Sequence, residues 1–280
     1  MYLFPSLNLV QTIENHSHLK LSSNRAGETF WFESADPQYI SYHFQDIPLA
    51  QVKSSRFFGA ISLYAKDYER ITGFSKVQKK FLKHPKQNVL VSDIKIKTRP
   101  LENPSSIRIP TSFFDNLQKV GEDQIQNERI LIRSTILNDT PKDDFCMETE
   151  LPVKSVRTSQ FGSYRRLPTG LQYFHTGLDL RARTGTPIYA MADGEVSLSQ
   201  FFNVPGNAVI VDHGNSIFSK YFHLSDLAVT PGQQIKKGDL IGKAGATGRV
   251  EAAHLHWEVT WKGIVTDPQA FMNTMKTACL

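Results

Sequence analysis

The segment HLHWEVTW, residues 254–261, decides how the C-terminal half of the chain folds. Successive side chains of an extended strand point to opposite faces, so residues two apart share a face. One face of this segment is apolar and consists of Leu255, Trp257, Val259 and Trp261. The other face is polar and carries His254, His256, Glu258 and Thr260. A strand with a tryptophan-lined core face and a histidine pair opposite is a suitable platform for a metal ion.

A second motif, HTGLD at residues 175–179, follows the same alternation. It directs His175 and Asp179 to one side, and Gly177 between them has no side chain to obstruct them. Two imidazoles, a carboxylate and water at an open fourth position form a catalytic zinc site, whereas structural sites are closed by four protein ligands, often cysteines. Neither cysteine of the chain is near these motifs. The residues therefore predict a catalytic metal centre.

The rest of this half reads as short β segments separated by turns, with little helix. Residues 151–280 hold 13 of the 17 glycines, and glycine suits the positive-φ positions of tight turns. The predicted strands are residues 187–191, 194–199, 208–212, 217–223, 240–244 and 254–261.

Charge and hydropathy restrict the class of partner. The net charge is +5, and residues 151–280 carry 13 Lys and Arg against 9 Asp and Glu, which favours an anionic partner. No basic run with interleaved aromatic residues indicates nucleic-acid binding. No run of 18 or more apolar residues encodes a transmembrane helix, and the opening MYLFP lacks the basic region of an intact signal peptide.

Residues 1–98 are predicted to form a small antiparallel sandwich, because short aromatic and β-branched segments alternate with turn residues. The segments are residues 7–13, 28–33, 39–44, 57–65 and 88–97. His16 and His18 would share a face of a strand there, and we interpret them as a solvated pair rather than a metal site.

The sequence changes character after residue 100. Pro100, Pro104 and Pro110 mark an extended connector. Thr111 or Ser112 is then placed to cap one helix of about 20 to 25 residues, with Gly121 as its weak point.

Two cysteines, Cys146 and Cys279, lie near the ends of the glycine-rich half. If that half is compact, its ends could meet, and a disulfide closing a loop of about 130 residues would contribute roughly 4 to 5 kcal/mol. Two unpaired thiols are the alternative.

Residues 151–275 resemble the lysostaphin/LytM-type zinc endopeptidases that cut peptidoglycan. The resemblance runs through ordered blocks: SQFGSYRR (159–166), HTGLD (175–179), GTPIYA (185–190), ADGEV (192–196), GNAVIVDHG (206–214), YFHLS (221–225), GDLIG (238–242), GATG (245–248) and HLH (254–256). Residues 1–150 are similar in outline to the N-terminal extension of Gram-negative-type members. The resemblance implies a mainly β chain with an Ig-like domain at 1–99, a connector with one helix at 100–145, and an antiparallel all-β LytM-type peptidase domain at 146–280.

The resemblance also implies roles for five residues. It assigns Zn²⁺ binding to His175, Asp179 and His256, and it makes His223 and His254 the catalytic pair. Zinc polarises a scissile carbonyl and lowers the pKa of water, and unligated imidazoles suit the proton transfers. Which of the two histidines acts as the base is left open.

Three further residues call for comparison with the family. Some members place a transition-state tyrosine shortly before the first ligand, but residues 167–172 contain none. Tyr164 and Tyr173 are the nearest replacements. His213 lies in a turn motif, DHGN, for which we expect a structural role.

The predicted reaction is hydrolysis of peptide bonds in peptidoglycan cross-links, at D-alanyl-diaminopimelate rather than glycyl-glycine bonds. The alternative is a non-catalytic member that regulates other wall hydrolases. Arg165, Arg166 and Arg249 would form a basic rim for anionic stem peptides, unless they are simply solvated. We expect a monomer that is periplasmic or secreted to the cell envelope, without a nucleic-acid partner.

The resemblance raises one regulatory hypothesis. Related chains with N-terminal extensions are often latent, with a preceding segment lying across the groove and donating a side chain to zinc. The connector is long enough, and it offers the amide oxygens of Asn103, Asn116, Asn127 and Asn138. A connector that merely spaces the domains is the alternative.

Overall fold

A computed structural model of the 280-residue chain describes residues 22–23, 25–33, 39–44, 47–53, 56–63, 65, 68–76, 86–98, 104–138 and 140–280. The predicted strand at residues 7–13, the pair His16 and His18, and Asn103 lie outside these residues. The described part is mostly β with antiparallel sheets, as predicted.

The described residues of the N-terminal half form two antiparallel sheets. Its strands are β1 Thr29–Glu33, β2 Tyr39–Phe44, β3 Ile47–Pro48, β4 Ala50–Lys53, β5 Arg56–Ala60, β6 Tyr68–Lys76 and β7 Lys86–Lys95. One sheet has the order β1-β5-β4 and the other the order β3-β2-β6-β7. The Phe30 and Phe44 rings, one from each sheet, meet edge to face with centroids 5.2 Å apart. Strand β6 was not predicted, and the Ig-like character of this half stays a prediction.

The connector contains two helices, so the prediction of one continuous helix is wrong. After the short strand β8 (Ser105–Ser106), α1 covers Thr111–Val120 and α2 covers Glu122–Ile136. Gly121 between them has a φ of 88°, which takes the backbone out of the helical region. The predicted cap is also wrong, because Pro110 is the N-cap and no side chain caps α1.

The C-terminal half is built on one large sheet. Its strands are β9 Arg157–Ser159, β10 Tyr164–Arg166, β11 Gln172–Phe174, β12 Leu178–Arg181, β13 Pro187–Tyr189, β14 Gly194–Phe202, β15 Gly206–Asp212, β16 Ile217–Leu227, β17 Gln234–Ile235, β18 Leu240–Ala244, β19 His254–Trp261 and β20 Ile264–Thr266. The large sheet runs β17-β14-β15-β16-β19-β12-β9, with β18 on β16 and β20 on β19. A small sheet has the order β11-β10-β8.

Strand β19 matches the predicted bounds and lies inside the large sheet. Its apolar face is buried as expected, with Trp257 and Trp261 at 0% and 1% exposure. Its polar face is buried as well, because Glu258 and Thr260 are 4% and 0% exposed. The polar face therefore lines the interior of the domain, where its groups need partners.

A third helix, α3 (Pro268–Ala278), follows β20, so the expectation of an all-β domain is wrong. Asp267 caps it by accepting from the backbone N–H groups of Gln269 and Ala270, and Pro268 occupies the first helical position. This Asp-Pro signal was present in the sequence.

The two ends of the C-terminal half meet. Cys146 and Cys279 form a disulfide across a sequence separation of 133 residues. The N-terminal half packs at the same place, because the centroid of the Phe58 ring lies 5.3 Å from that of Trp261 and 6.1 Å from that of Phe271. None of the three helices in the described part has the length and apolar character to cross a bilayer.

Candidate metal centre

Three side chains converge on one point: His175 from the loop before β12, Asp179 from β12 and His256 from β19. His175 Nε2 lies 2.9 Å from His256 Nδ1 and 3.0 Å from Asp179 Oδ1. His256 Nδ1 lies 2.8 Å from the same Asp179 oxygen. All three residues are buried, with exposures of 1% for His175, 6% for Asp179 and 8% for His256. Among the described residues, this is the group of His, Cys, Asp and Glu side chains that could hold a metal ion.

The sheet register produces this convergence. In the antiparallel pair β12–β19, Asp179 stands directly opposite His256. Gly177 allows the close approach, since a Cβ there would lie 2.5 Å from the Trp257 carbonyl oxygen and 2.9 Å from His256 Cε1. Any larger residue at 177 would push His175 and Asp179 away from the strand.

In each imidazole ring, a hydrogen bond made by one nitrogen determines which nitrogen faces the centre. His175 Nδ1 lies 2.8 Å from the Gln160 carbonyl oxygen, which can only accept, so Nδ1 carries the proton. His256 Nε2 lies 3.0 Å from Glu258 Oε1 and donates to it. The other nitrogens, His175 Nε2 and His256 Nδ1, therefore face the Asp179 carboxylate. Three potential ligand atoms within 3.0 Å of one another suit a bound cation, and two imidazoles with one carboxylate suit zinc.

Asp179 is held on its other oxygen by an arginine. Arg165 donates to Asp179 Oδ2 at 2.7 Å and to Ser159 Oγ at 2.5 Å. Burial alone would raise the pKa of Asp179, but the adjacent rings of His175, His254 and His256 hold this pKa well below its usual range. Asp179 is therefore an anion with one oxygen left for the centre.

A buried ion pair supports His256 from behind. Glu258 accepts from His256 Nε2, from the Thr176 hydroxyl and from the Lys220 ammonium. Lys220 and Glu258 are 5% and 4% exposed. Burial works against ionisation of Glu258, but the Lys220 charge outweighs it and lowers the pKa. Sequence reasoning placed Glu258 on the right face without a role and missed Lys220, which lies on a different strand.

His223 and His254 lie next to the three converging residues. Their ring centroids are 5.1 Å apart, and the His223 centroid is 5.9 Å from that of His256. Their Nδ1 atoms donate to the carbonyl oxygens of Thr247 (2.9 Å) and Ala252 (2.8 Å), which leaves Nε2 of each ring free of the backbone. Burial lowers the pKa of His223 well below its usual value, so this ring is neutral at neutral pH.

The backbone at His223 is unusual. Its φ is 63°, and the β15–β16 register shifts between Asn207 and Val209, so β16 bulges here. A non-glycine residue in this region costs of order 1 kcal/mol or more and persists where surrounding contacts enforce it. The His223 N–H bond to the Pro205 carbonyl (2.8 Å) contributes to that enforcement. The bulge turns the His223 ring toward His254, which simple alternation along β16 does not predict.

All five residues open into one cavity of about 600 Å³. The connector forms part of its wall through Ser105, Ser106, Ile107 and Ile109. This segment is anchored by parallel pairing of β8 with Arg165 and Arg166, by the Ile107 N–H bond to the Arg166 carbonyl (3.0 Å), and by the Arg108 N–H bond to Glu251. Asn116, Asn127 and Asn138 are absent from the described lining.

The remaining predicted residues separate into two groups. Tyr173, Arg165 and Arg249 line the cavity, whereas Tyr164 and Arg166 are not part of its described lining. His213 is not among the described lining residues. Its ring is buried between the Asp193 carbonyl (2.8 Å) and the Ser219 hydroxyl (2.7 Å).

Sequence similarity to known proteins covers the same region of the chain. The profile of peptidase family M23 matches residues 173–268, which include the five histidine and aspartate residues of the centre. Peptidoglycan DD-endopeptidase ShyC of Vibrio cholerae is 41% identical over 113 residues, covering 40% of this chain and 26% of that protein. DD-carboxypeptidase/endopeptidase Mpg of Neisseria meningitidis is 36% identical over 118 residues, covering 42% of this chain and 27% of that protein. The matches thus span about a quarter of the length of these curated relatives.

One solved structure extends the similarity beyond this domain. A Pseudomonas aeruginosa chain assigned to peptidase M23 superposes with a TM-score of 0.65 at 23% identity, covering 91% of this chain and 97% of that one. This likeness shows a shared fold that includes the N-terminal half. The match at residues 173–268 shows that the C-terminal half of this chain contains a peptidase family M23 domain.

Proposed function

We propose that this protein is a zinc-dependent endopeptidase that hydrolyses peptide bonds in peptidoglycan cross-links. The observation that carries the proposal is the convergence of His175, Asp179 and His256, with two further imidazoles beside them, in one cavity of an M23 domain. The relatives named as peptidoglycan DD-endopeptidase and DD-carboxypeptidase/endopeptidase support the substrate class. They also favour the D-alanyl-diaminopimelate bond over glycyl-glycine.

In this proposal His175 Nε2, Asp179 Oδ1 and His256 Nδ1 hold the metal. When bound, zinc supplies Lewis acidity for the scissile carbonyl and acidifies a water molecule for attack. Arg165 and Glu258 orient two of the ligands through Asp179 Oδ2 and His256 Nε2.

His223 and His254 supply the proton chemistry in the proposed reaction. Both rings line the cavity, and each donates through Nδ1–H to a backbone carbonyl, so Nε2 is the nitrogen left for the reaction. One ring accepts the proton of the attacking water and returns it to the leaving amine, and the other, when protonated, donates to the oxyanion.

The location proposed for the protein is outside the cytoplasm, in the periplasm or cell envelope. Its substrate is there, and the Cys146–Cys279 disulfide fits an oxidising compartment. We propose the domain division at residues 99 and 145 on the composition of the chain, with the connector and the N-terminal half packed on the peptidase domain.

The decisive experiment is digestion of purified sacculi and of a defined D-alanyl-diaminopimelate muropeptide dimer, with products identified by mass spectrometry. We expect unlinked monomers from the wild-type protein and none from His256→Ala. A glycyl-glycine peptide is the comparison substrate. A zinc-loaded protein that cleaves neither the peptidoglycan substrates nor the glycyl-glycine peptide would overturn the proposal. A protein that binds no zinc and cleaves none of these substrates would indicate a regulator of other hydrolases.

We further propose that the connector restrains activity by occupying the edge of β10 beside the cavity. The backbone pairing of β8 and the Ile107–Arg166 bond support this occlusion. Ile107→Pro removes that N–H donor in the full chain and should raise the hydrolysis rate. Thr111→Pro is the control, because proline is tolerated at the first position of α1. Equal rates for wild type and Ile107→Pro would favour a connector that only spaces the domains.

A further inference from the structure

We propose that Arg249 is a carboxylate receptor that selects the substrate: it binds the free carboxylate on the carbon that bears the scissile nitrogen. This inference rests on the proposed endopeptidase function. A D-alanyl-diaminopimelate cross-link has such a carboxylate, because the diaminopimelate carbon bonded to that nitrogen also bears a carboxyl group. A glycine within a glycyl-glycine bridge has none there.

The position of Arg249 supports the proposal. Its side chain lines the same cavity as the converging histidines, and its guanidinium carbon lies 5.4 Å from the centroid of the Tyr173 ring. Its backbone N–H bonds to the Val204 carbonyl at 2.9 Å, which fixes the loop. Tyr173 in turn stands opposite Arg165 in the β10–β11 pair. The guanidinium is therefore held against one wall of the cavity rather than extended into solvent.

Charge balance singles out Arg249 among the cavity arginines. Arg165 is neutralised by Asp179, with N and O atoms 2.7 Å apart, and Arg181 is exposed. Among the described residues, no carboxylate oxygen lies within 4.0 Å of the Arg249 guanidinium. Glu251, two residues away on the same wall, accepts from the Arg108 backbone N–H. Arg249 is thus a cation at a cavity wall that contacts Tyr173 and has no carboxylate partner among the described residues.

The surroundings of the Arg249 guanidinium favour binding of an anion. Burial lowers the pKa of Arg249; Tyr173 opposes this change, whereas the charges of Arg129 and Arg165 add to it. An arginine remains charged under such perturbation, and it binds carboxylates through two parallel N–H bonds. A partly desolvated cation among other cations gains more from an anionic ligand than a hydrated surface arginine does.

The test pairs substrate and enzyme changes. Muropeptide dimers are prepared with the diaminopimelate carboxylate next to the scissile bond free or amidated, and a third dimer is amidated at the terminal D-alanine instead. For the wild type we expect the first amidation to lower kcat/KM by about 10- to 100-fold, mainly through KM, as for loss of a hydrogen bond to a charged group. The terminal amidation should change it by less than about threefold.

Arg249→Gln should lose a similar factor on the free dimer and no longer distinguish free from amidated. Arg249→Lys should keep part of the preference, and Arg183→Gln, an exposed arginine outside the cavity lining, should keep all of it. If Arg249→Gln discriminates as the wild type does, or loses activity equally on both dimers, Arg249 only packs on Tyr173.

Binding separates this inference from the proposed reaction. Calorimetric titration of the chelator-treated full chain with the same dimers measures recognition without hydrolysis. We expect the free dimer to bind about 10-fold or more tightly than the amidated one, and Arg249→Gln to abolish the difference. Equal binding of both dimers by the wild type overturns the inference, whether or not the zinc-loaded protein cleaves them.

Discussion

Asp179 and His256 face each other directly across the β12–β19 pair, and Asp179 Oδ1 lies 2.8 Å from His256 Nδ1 although 77 residues separate them. Their contact is fixed by strand register rather than by flexible side chains. A shift of one residue would turn every side chain of β19 to the other face and remove His256 from the centre. The proposed metal site and the central sheet are therefore one structural unit.

Loss of a converging side chain should remove the metal. We expect about one zinc per chain in the wild type and less than about 0.1 in Asp179→Ala or His256→Ala, since a three-ligand site rarely retains zinc on two. Elemental analysis of the purified full-length proteins measures this. His213→Asn is the matched control, as His213 is a buried histidine outside the centre, and its zinc content should be unchanged. Full zinc occupancy in His256→Ala would contradict the assignment.

His223 and His254 should separate metal binding from catalysis. His223→Ala and His254→Ala should each retain zinc while their hydrolysis rate falls by about 10²- to 10⁴-fold, the range expected for loss of a general acid or base. Zinc content and the rate of dimer cleavage are measured on the same preparations. A variant that loses its zinc would instead assign that histidine to the ligand set.

The buried Lys220–Glu258 pair should matter for stability. Glu258→Gln leaves the Lys220 ammonium, 5% exposed, without its counter-charge, and we expect a loss of about 3 to 5 kcal/mol in the free energy of unfolding. Denaturant titration in the presence of a chelator measures it without a contribution from metal. The double variant Glu258→Gln/Lys220→Met should recover part of the loss. A double variant as unstable as the single one would show that the charge is not the cause.

His213 should make stability fall in acid. Burial lowers its pKa from 6.5 to about 4, despite the opposing hydrogen bond to the Asp193 carbonyl. Below pH 6.5 the unfolded chain binds a proton that the folded chain refuses, so this contribution declines from pH 6.5 and is lost below about pH 4. The difference amounts to about 3 kcal/mol.

The measurement is the free energy of unfolding of wild type and His213→Asn at pH 7 and pH 4. Asparagine can retain the donor toward the Asp193 carbonyl and does not titrate. The wild type should therefore lose about 3 kcal/mol more than the variant over this range. Equal losses would mean that His213 titrates normally in the folded protein.

The Cys146–Cys279 disulfide should stabilise the chain through its long loop. The separation of 133 residues corresponds to about 4 to 5 kcal/mol in the chain-entropy model. Cys146→Ala/Cys279→Ala should show this loss in urea titration, and reductant should shift the wild type but not the double variant. Indifference of the wild type to reductant would argue against the stabilising role.

The features that the sequence alone determined depend on the alternation of side chains between the two faces of a strand. The period of two along residues 254–261 identified the tryptophan-lined core face and the histidine face, and the bounds of β19 and β18 matched prediction. The HTGLD motif predicted that His175 and Asp179 point the same way past a bare Gly177. Each of these inferences depends only on neighbours within a few residues.

Tertiary structure decided the rest. The pairing of Lys220 with Glu258, the Arg165 bond to Asp179 and the bulge that turns His223 all depend on which strands lie side by side, and strand pairing joins residues far apart in sequence. The break at Gly121 likewise depended on a positive φ that the sequence permits without requiring. Short-range periodicity fixes the direction of a side chain, but only the folded sheet fixes what that side chain meets.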